Sequence, residues 1–375
     1  MLELEKYDVS PERGFLPSSD PVLELPLKFS SWEKLSGEMP GLLVASQFRS
    51  RAEALPTLEI DELADAAQQT RAMRILTFFA SAYVWGDPSP ATKLPATIAV
   101  PLWQLSEQLG RPPIISHASL VLNNWRRLDS NSPIVPENLV TLNQFLGGQD
   151  EAWFYLLTAA IEAAGGPVLS ALLELQDAVD HGDKDACCQC LQVIKQGMES
   201  LQTLLNRMPE KCAPFVFYHR VRPFLDSWPA PGVVYEGVSD EPKKYFGGSA
   251  AQSSLIQALD AGLGVTHPSE HTHGFLLEMR KYMPPPHRKF IEVLESSARV
   301  KSFVAAQKTE SPQLAELYNG ALGALEAFRI KHLEIAARYI SQQAKIEGEK
   351  GTGGTDFMKF LGTARRETRA SRISK

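Results

Sequence analysis

The chain has 375 residues, 44% of them hydrophobic and 22% charged, with a formal net charge of −6. This length supports a core able to enclose a sizeable ligand, and the composition excludes wholesale disorder and fibrous repeats. Mixed charge signs with a mild acidic excess give no broad basic field, so nucleic acid is not an expected partner.

The N-terminus, MLELEKYDVS, lacks the basic and apolar regions of a secretory signal, and no stretch approaches the roughly 18 uninterrupted apolar residues of a membrane helix. The expectation is a cytoplasmic protein with no membrane partner. Residues 1–145 are rich in proline and broken into short segments such as EALPTLEI and TKLPATIAVPLWQL. They read as a small mixed domain of short helices and a few strands. One longer helix is predicted through DELADAAQQTRAMRILTFFASAYVW, where apolar residues recur at helical spacing.

From residue 146 to 375 the pattern changes to long helical stretches, including DEAWFYLLTAAIEAA, DACCQCLQVIKQGMESLQTLLNRM, SSLIQALDAGLG and QLAELYNGALGALEAFRIKHLEIAARYISQQ. This part is predicted to be a large all-helical domain, punctuated at Gly165, Gly166 and Pro167 and again at WPAPG and YMPPPH. The fold class is therefore mainly α. Cys187, Cys188, Cys190 and Cys212 fall in predicted helix without zinc-finger spacing and read as buried thiols in a reducing compartment. HPSEHTHG, with His267, Glu270, His271 and His273, reads as a loop whose spacing is not that of a helical zinc site. The basic end, ARRETRASRISK, reads as a solvated tail.

On the last long helix, Tyr318, Ala321, Leu325, Phe328, His332, Ile335 and Tyr339 follow steps of three and four, so His332 lies on the apolar face. Two readings stand: a hydrogen-bonded core histidine, or an axial ligand to haem iron, which needs a neutral imidazole held in an apolar pocket. In FYHRVRPFLDSW, the arginines beside aromatics are either a salt-bridged face or a fork for a substrate carboxylate. The glycines of GEKGTGGTDF, near residues 342–355, are either a mobile linker or a lid, and no lysine followed by Ser or Thr makes them a P-loop.

Taken together, AYVWG, LPATIAVPLWQLS, YFGGSAAQSS, RKYMPPPHRKFIEVLES, FRIKHLEIAARYI and KGTGGTDFMKFL resemble the signature segments of the indoleamine 2,3-dioxygenases, in order and over nearly the whole chain. The resemblance implies a haem b protein, active with Fe²⁺, that uses O₂ to open the indole ring of L-tryptophan or a related indoleamine. The product would be N-formylkynurenine, the first step of the kynurenine pathway. It implies His332 as proximal haem ligand, Arg329 near a haem propionate and Asp260 as its acidic neighbour. Phe154 and Thr158 would lie over the iron, Phe217 would pack on the indole, and Arg222 would bind the carboxylate. His117, Val121, Ser249, Ala250 and Thr352 would line the rest of the substrate site, Thr352 from the mobile loop. The Thr158 position carries serine, the His117 position tyrosine and the Leu120 position cysteine in the familiar vertebrate enzymes, and these departures bear on pocket shape. The expected partners are a small indole substrate and an electron donor, with the protein a monomer. Two rival expectations are oxygenation of a different indole and a non-catalytic O₂-binding haem protein on the same scaffold.

Overall fold

The structure is a computed structural model that describes residues 3–297, 299–344, 351–354 and 356–374. The first half supplies α1 (Ser30–Val44), α2 (Phe48–Glu53), α3 (Ala66–Trp85) and α4 (Ala96–Leu109), with β1 (Lys93–Leu94), β2 (Trp125–Arg127) and β3 (Leu139–Thr141). The predicted long helix is α3. It starts at Ala66 because Asp65 caps it, its carboxylate accepting the Gln68 backbone N–H at 2.8 Å. Every residue from Arg71 through Ala82 is buried, which makes α3 the central helix of this half.

The second half supplies α5 (Gln149–Ala164), α6 (Gly166–His181), α7 (Lys184–Asn206), α8 (Met208–Lys211), α9 (Pro214–Val216), α10 (Ser254–Leu263), α11 (Glu270–Arg280), α12 (Pro285–Ser297), α13 (Val300–Gln307), α14 (Pro312–Ala336) and α15 (Phe357–Ala370). The break at Gly165 divides α5 from α6, with Pro167 in the first turn of α6, where its missing N–H costs nothing. The most extensive helix pairings are α7 along α14 and α6 along α7. Gln149–His181 is long and apolar enough to cross a membrane by length and composition, but 78% of its apolar window is buried inside the fold, as in a core helix.

The fold is mainly α, but the second half is not all-helical as predicted. It contributes β4 (Val233–Tyr235) and β5 (Ser239–Lys243). Val233, Val234 and Tyr235 are β-branched and aromatic residues that favour a pleated surface, and β4 pairs in parallel with β1 and antiparallel with β5. The sheet thus joins the two sides of residue 145. So does the ring column in which Phe145 stacks on Phe78 and Phe224, both at 4.6 Å between centroids. β2 and β3 form a separate antiparallel pair.

Two further expectations are corrected. HPSEHTHG is not a loop throughout: α11 begins at Glu270, whose carboxylate at the N-terminal turn favours the helix dipole. Among the described residues no cluster of His, Cys, Asp or Glu is arranged to hold a metal ion. The basic tail is not merely solvated, because α15 docks it: Thr368 and Ser371 are buried, and Arg372 pairs with Glu326 at 2.7 Å. The four cysteines are free thiols, three buried and Cys188 half-buried. Burial pushes the Cys187 thiol up to about 12 and Cys190 to about 11, which makes them unreactive.

Candidate functional site

An apolar cavity lies where α5, α11, α14 and α15 converge, with about 910 Å³ of unfilled space when its mouth is counted. The C-terminal turns of α14 contribute His332, Ile335 and Ala336 to its wall. The helix then widens into a π-helical turn, Ala337–Ser341, from which Tyr339 and Ile340 also reach the cavity. Such a widened turn shifts the face that the side chains present.

His332 makes no hydrogen bond among the described residues, so the reading of a hydrogen-bonded core histidine fails. Burial, with a contribution from the Arg329 charge, pushes its imidazole down to about 4. At neutral pH it is therefore neutral and carries a lone pair, the state a metal takes. One turn earlier, the buried Arg329 donates from Nη2 to Asp260 Oδ2 at 2.5 Å and from Nη1 to Thr368 Oγ1. His267 bridges the same carboxylate, with Nε2 at 3.1 Å from Asp260 Oδ2 and Nδ1 at 2.7 Å from Glu367 Oε2. Burial alone would raise the Asp260 carboxyl, but the Arg329 charge and the His267 bond outweigh it and hold it below the usual range. Burial likewise opposes a charge on His267, and its two carboxylate partners outweigh burial and raise its imidazole. His267, Glu367 and Thr368 were not singled out for this role in the sequence, since His267 lies 62 residues before Arg329, and Glu367 and Thr368 lie 38 and 39 residues after it.

Much of the rest of the lining is aromatic. Phe154 on α5 and Phe217 lie 4.7 Å apart between ring centroids at 48°, and Tyr339 meets Phe217 at 5.8 Å. Phe217 opens a second π-helical turn, Phe217–Val221, that leads into the 3₁₀ turn Arg222–Leu225. Arg222 is 7% exposed, and its guanidinium lies 5.4 Å from the centre of the Tyr218 ring. Phe275 of α11 and Phe360 of α15, in contact at 4.8 Å, complete the apolar wall. These two rings, like Tyr339, belong to helical apolar faces that sequence periodicity marks only as core.

Ser249 and Ala250 line the cavity beside Gly248. Ser249 caps the 3₁₀ turn Ala250–Gln252 in a capping box. A Cβ on Gly247 would stand 2.1 Å from the Leu225 carbonyl oxygen, so only glycine fits there. Thr352 lies across this strip. Its hydroxyl donates to the Gly248 carbonyl at 2.6 Å, and its own carbonyl accepts from Ser227 Oγ at 2.7 Å and the Gly247 N–H at 3.2 Å. Of the loop expected to be mobile near residues 342–355, residues 345–350 and 355 lie outside the described residues.

Three expected pocket residues do not line this cavity. Thr158, one turn beyond Phe154, donates its hydroxyl back to the Phe154 carbonyl at 2.7 Å. Val121 is buried in the turn Ala118–Leu122. His117 turns to the carboxylate of Glu162 at 2.9 Å, which also accepts from Ser253 Oγ at 2.5 Å, while the His117 N–H donates to Gln252. His117 thus ties the first half to α5 and to the Ser249–Gln252 turn.

The profile of the indoleamine 2,3-dioxygenases matches residues 3–371. The chain belongs to the indoleamine 2,3-dioxygenase family. It is 38% identical to indoleamine 2,3-dioxygenase 1 of Rattus norvegicus, over 99% of this chain and 96% of that protein. It is 35% identical to indoleamine 2,3-dioxygenase 2 of Homo sapiens, over 98% and 95%, and 35% identical to the indoleamine 2,3-dioxygenase of Saccharomyces cerevisiae, over 98% and 93%. The chain is thereby an oxidoreductase of the dioxygenase class, in a haem-dependent family. The cavity fits that group: a neutral imidazole without a hydrogen-bond partner among the described residues, aromatic walls and a buried guanidinium suit a flat, largely apolar iron porphyrin with an anionic co-ligand or substrate.

Proposed function

We propose that the chain inserts both atoms of O₂ across the indole C2=C3 bond of L-tryptophan or a close indoleamine, giving an N-formylkynurenine-type product as the opening step of the kynurenine pathway. The observation that carries this reading is His332, a neutral imidazole without a hydrogen-bond partner among the described residues, on the wall of an aromatic cavity. His332 would hold the haem from one side, and the bound iron supplies the oxygen chemistry. No cysteine among the described residues lines the cavity, which favours a haem held by His332 and packing alone, as haem b is. Fe²⁺ as the active form requires an external electron donor.

The chain's own residues supply orientation and exclusion of water. Phe154 and Phe217 offer ring faces to an indole. Arg222, buried and planar, offers a charge-assisted fork to the amino-acid carboxylate. Thr352, held on Gly247 and Gly248, covers the edge formed by Ser249 and Ala250 and keeps solvent from the reacting ring.

The test is to load the protein with haem, reduce it, add L-tryptophan in air and follow absorbance at the N-formylkynurenine band. Product is expected. Product only with another indole from a substrate panel would replace the substrate, and no product from any indole would overturn catalysis in favour of an oxygen-binding protein.

A further inference from the structure

A second and larger cavity, with about 1,900 Å³ of unfilled space when its mouth is counted, shares no wall residue with the first. It opens between the N-terminal segment, the first turns of α3, the end of α4 and the turn that leads into α12. Of the buried nitrogen-bearing side chains that line it, three have a nitrogen without a hydrogen-bond partner among the described residues. Arg111 is 7% exposed, and its guanidinium makes no hydrogen bond and no ion pair among the described residues. Among the described residues Arg74, 1% exposed, donates only to neutral acceptors, the Asn143 side-chain oxygen at 3.0 Å and the Asn123 carbonyl, and its Nη2 has no acceptor. His287 is 4% exposed with Nδ1 lacking a hydrogen-bond partner among the described residues, and its ring packs on Phe15 at 4.7 Å.

The neighbouring cations show what is missing. Arg71, one turn before Arg74 and on the same wall, is paired through two nitrogens with Glu33. Asp20 on the rim is engaged by Arg13 at 2.9 Å and Arg127 at 2.8 Å. Glu5 and Asp8, also on the rim, are exposed and pair with neither Arg74 nor Arg111. A guanidinium does not escape burial by losing its proton. Burial pulls Arg111 down only to about 10, so it remains charged at neutral pH. A buried fork of N–H donors without an acceptor is costly to keep, and an anion is the partner that satisfies both its charge and its geometry.

We propose that this cavity is a binding site for a small organic anion, a carboxylate or phosphate ester, gripped by Arg111 and Arg74 with its apolar body against Phe15 and the surrounding prolines. The site is separate from the dioxygenase cavity, and the proposal does not rest on the substrate assigned there. His287, pushed down to about 3 by burial, stays neutral and offers a ring face to the ligand.

The experiment uses the haem-loaded protein in low-salt buffer, titrated calorimetrically with benzoate and, separately, with inorganic phosphate. Saturable binding of one or both is expected, and which of them binds separates an aromatic carboxylate from a phosphate ligand. Arg111→Gln should weaken that binding by about tenfold or more, and Arg111→Lys, which keeps the charge but not the fork, by less. Arg222→Gln, in the first cavity, should leave it unchanged. Thermal denaturation gives the second readout: the bound probe raises the wild-type midpoint and not that of Arg111→Gln, and without probe the Gln variant melts no lower than wild type. Absence of binding by both probes would overturn the site. Binding unaffected by Arg111→Gln, or a Gln variant that fails to fold, would do the same by showing that Arg111 is a structural group.

Discussion

The two sides of the first cavity are built by different physics. The side of His332 rests on charge: Arg329, Asp260, His267 and Glu367 form a buried chain of ion pairs that ties α10, α14 and α15 together. The part formed by Phe154, Phe217 and the Thr352 strip rests on ring contacts and backbone hydrogen bonds: Phe154 against Phe217, and Thr352 against Gly247 and Gly248. The part proposed to hold an iron ligand in one position is fixed by partners that are costly to separate once buried. The part proposed to admit and release a substrate is closed by contacts that each contribute little.

The largest effect that sharpens this contrast is expected from His332→Ala, which should abolish stoichiometric haem binding while the fold persists. A variant with the wild-type ferrous absorption spectrum would break the assignment. Next, Arg222→Ala should lower L-tryptophan turnover by about ten- to a hundredfold, the loss of one charge-assisted fork, with haem content unchanged. Equal turnover in steady-state assays would remove Arg222 as the carboxylate anchor.

Asp260→Asn probes the charged side and should cost about 3 kcal/mol of stability in denaturant titrations, because it leaves the buried Arg329 without its counter-charge. The pH dependence of the network has two limbs. Asp260 is held below 3.8 in the folded chain, so its contribution is complete above pH 3.8 and fades as pH falls through the depressed value. His267 is held above 6.5, so its contribution is complete below pH 6.5 and fades as pH rises through the raised value. Stability measured across this range should be flatter in Asp260→Asn than in the wild type; curves of the same shape would show that the network does not govern it. The smallest effect is expected from Thr158→Ala. Its hydroxyl is satisfied by the Phe154 carbonyl and it does not line the cavity, so turnover should change by less than about threefold.

How much of this was legible in the sequence depends on how far apart the interacting residues lie along the chain. The long helices, the cap at Asp65, the break at Gly165 and the apolar face that carries His332 all follow from spacings of a few residues, because helical periodicity and capping are local properties. The ordered signature segments added the family and, with it, the residues expected in the pocket. Tertiary structure alone decided the rest. Lys93 reaches Val234 as a strand partner, His267 reaches Glu367, and His117 turns from the expected substrate site to Glu162. Periodicity tells a side chain which face it occupies but not what the chain later brings to that face. That is why His332 could be placed on an apolar face from the sequence, whereas the carboxylate that holds Arg329, and the lack of one beside Arg111, appeared only once the chain was folded.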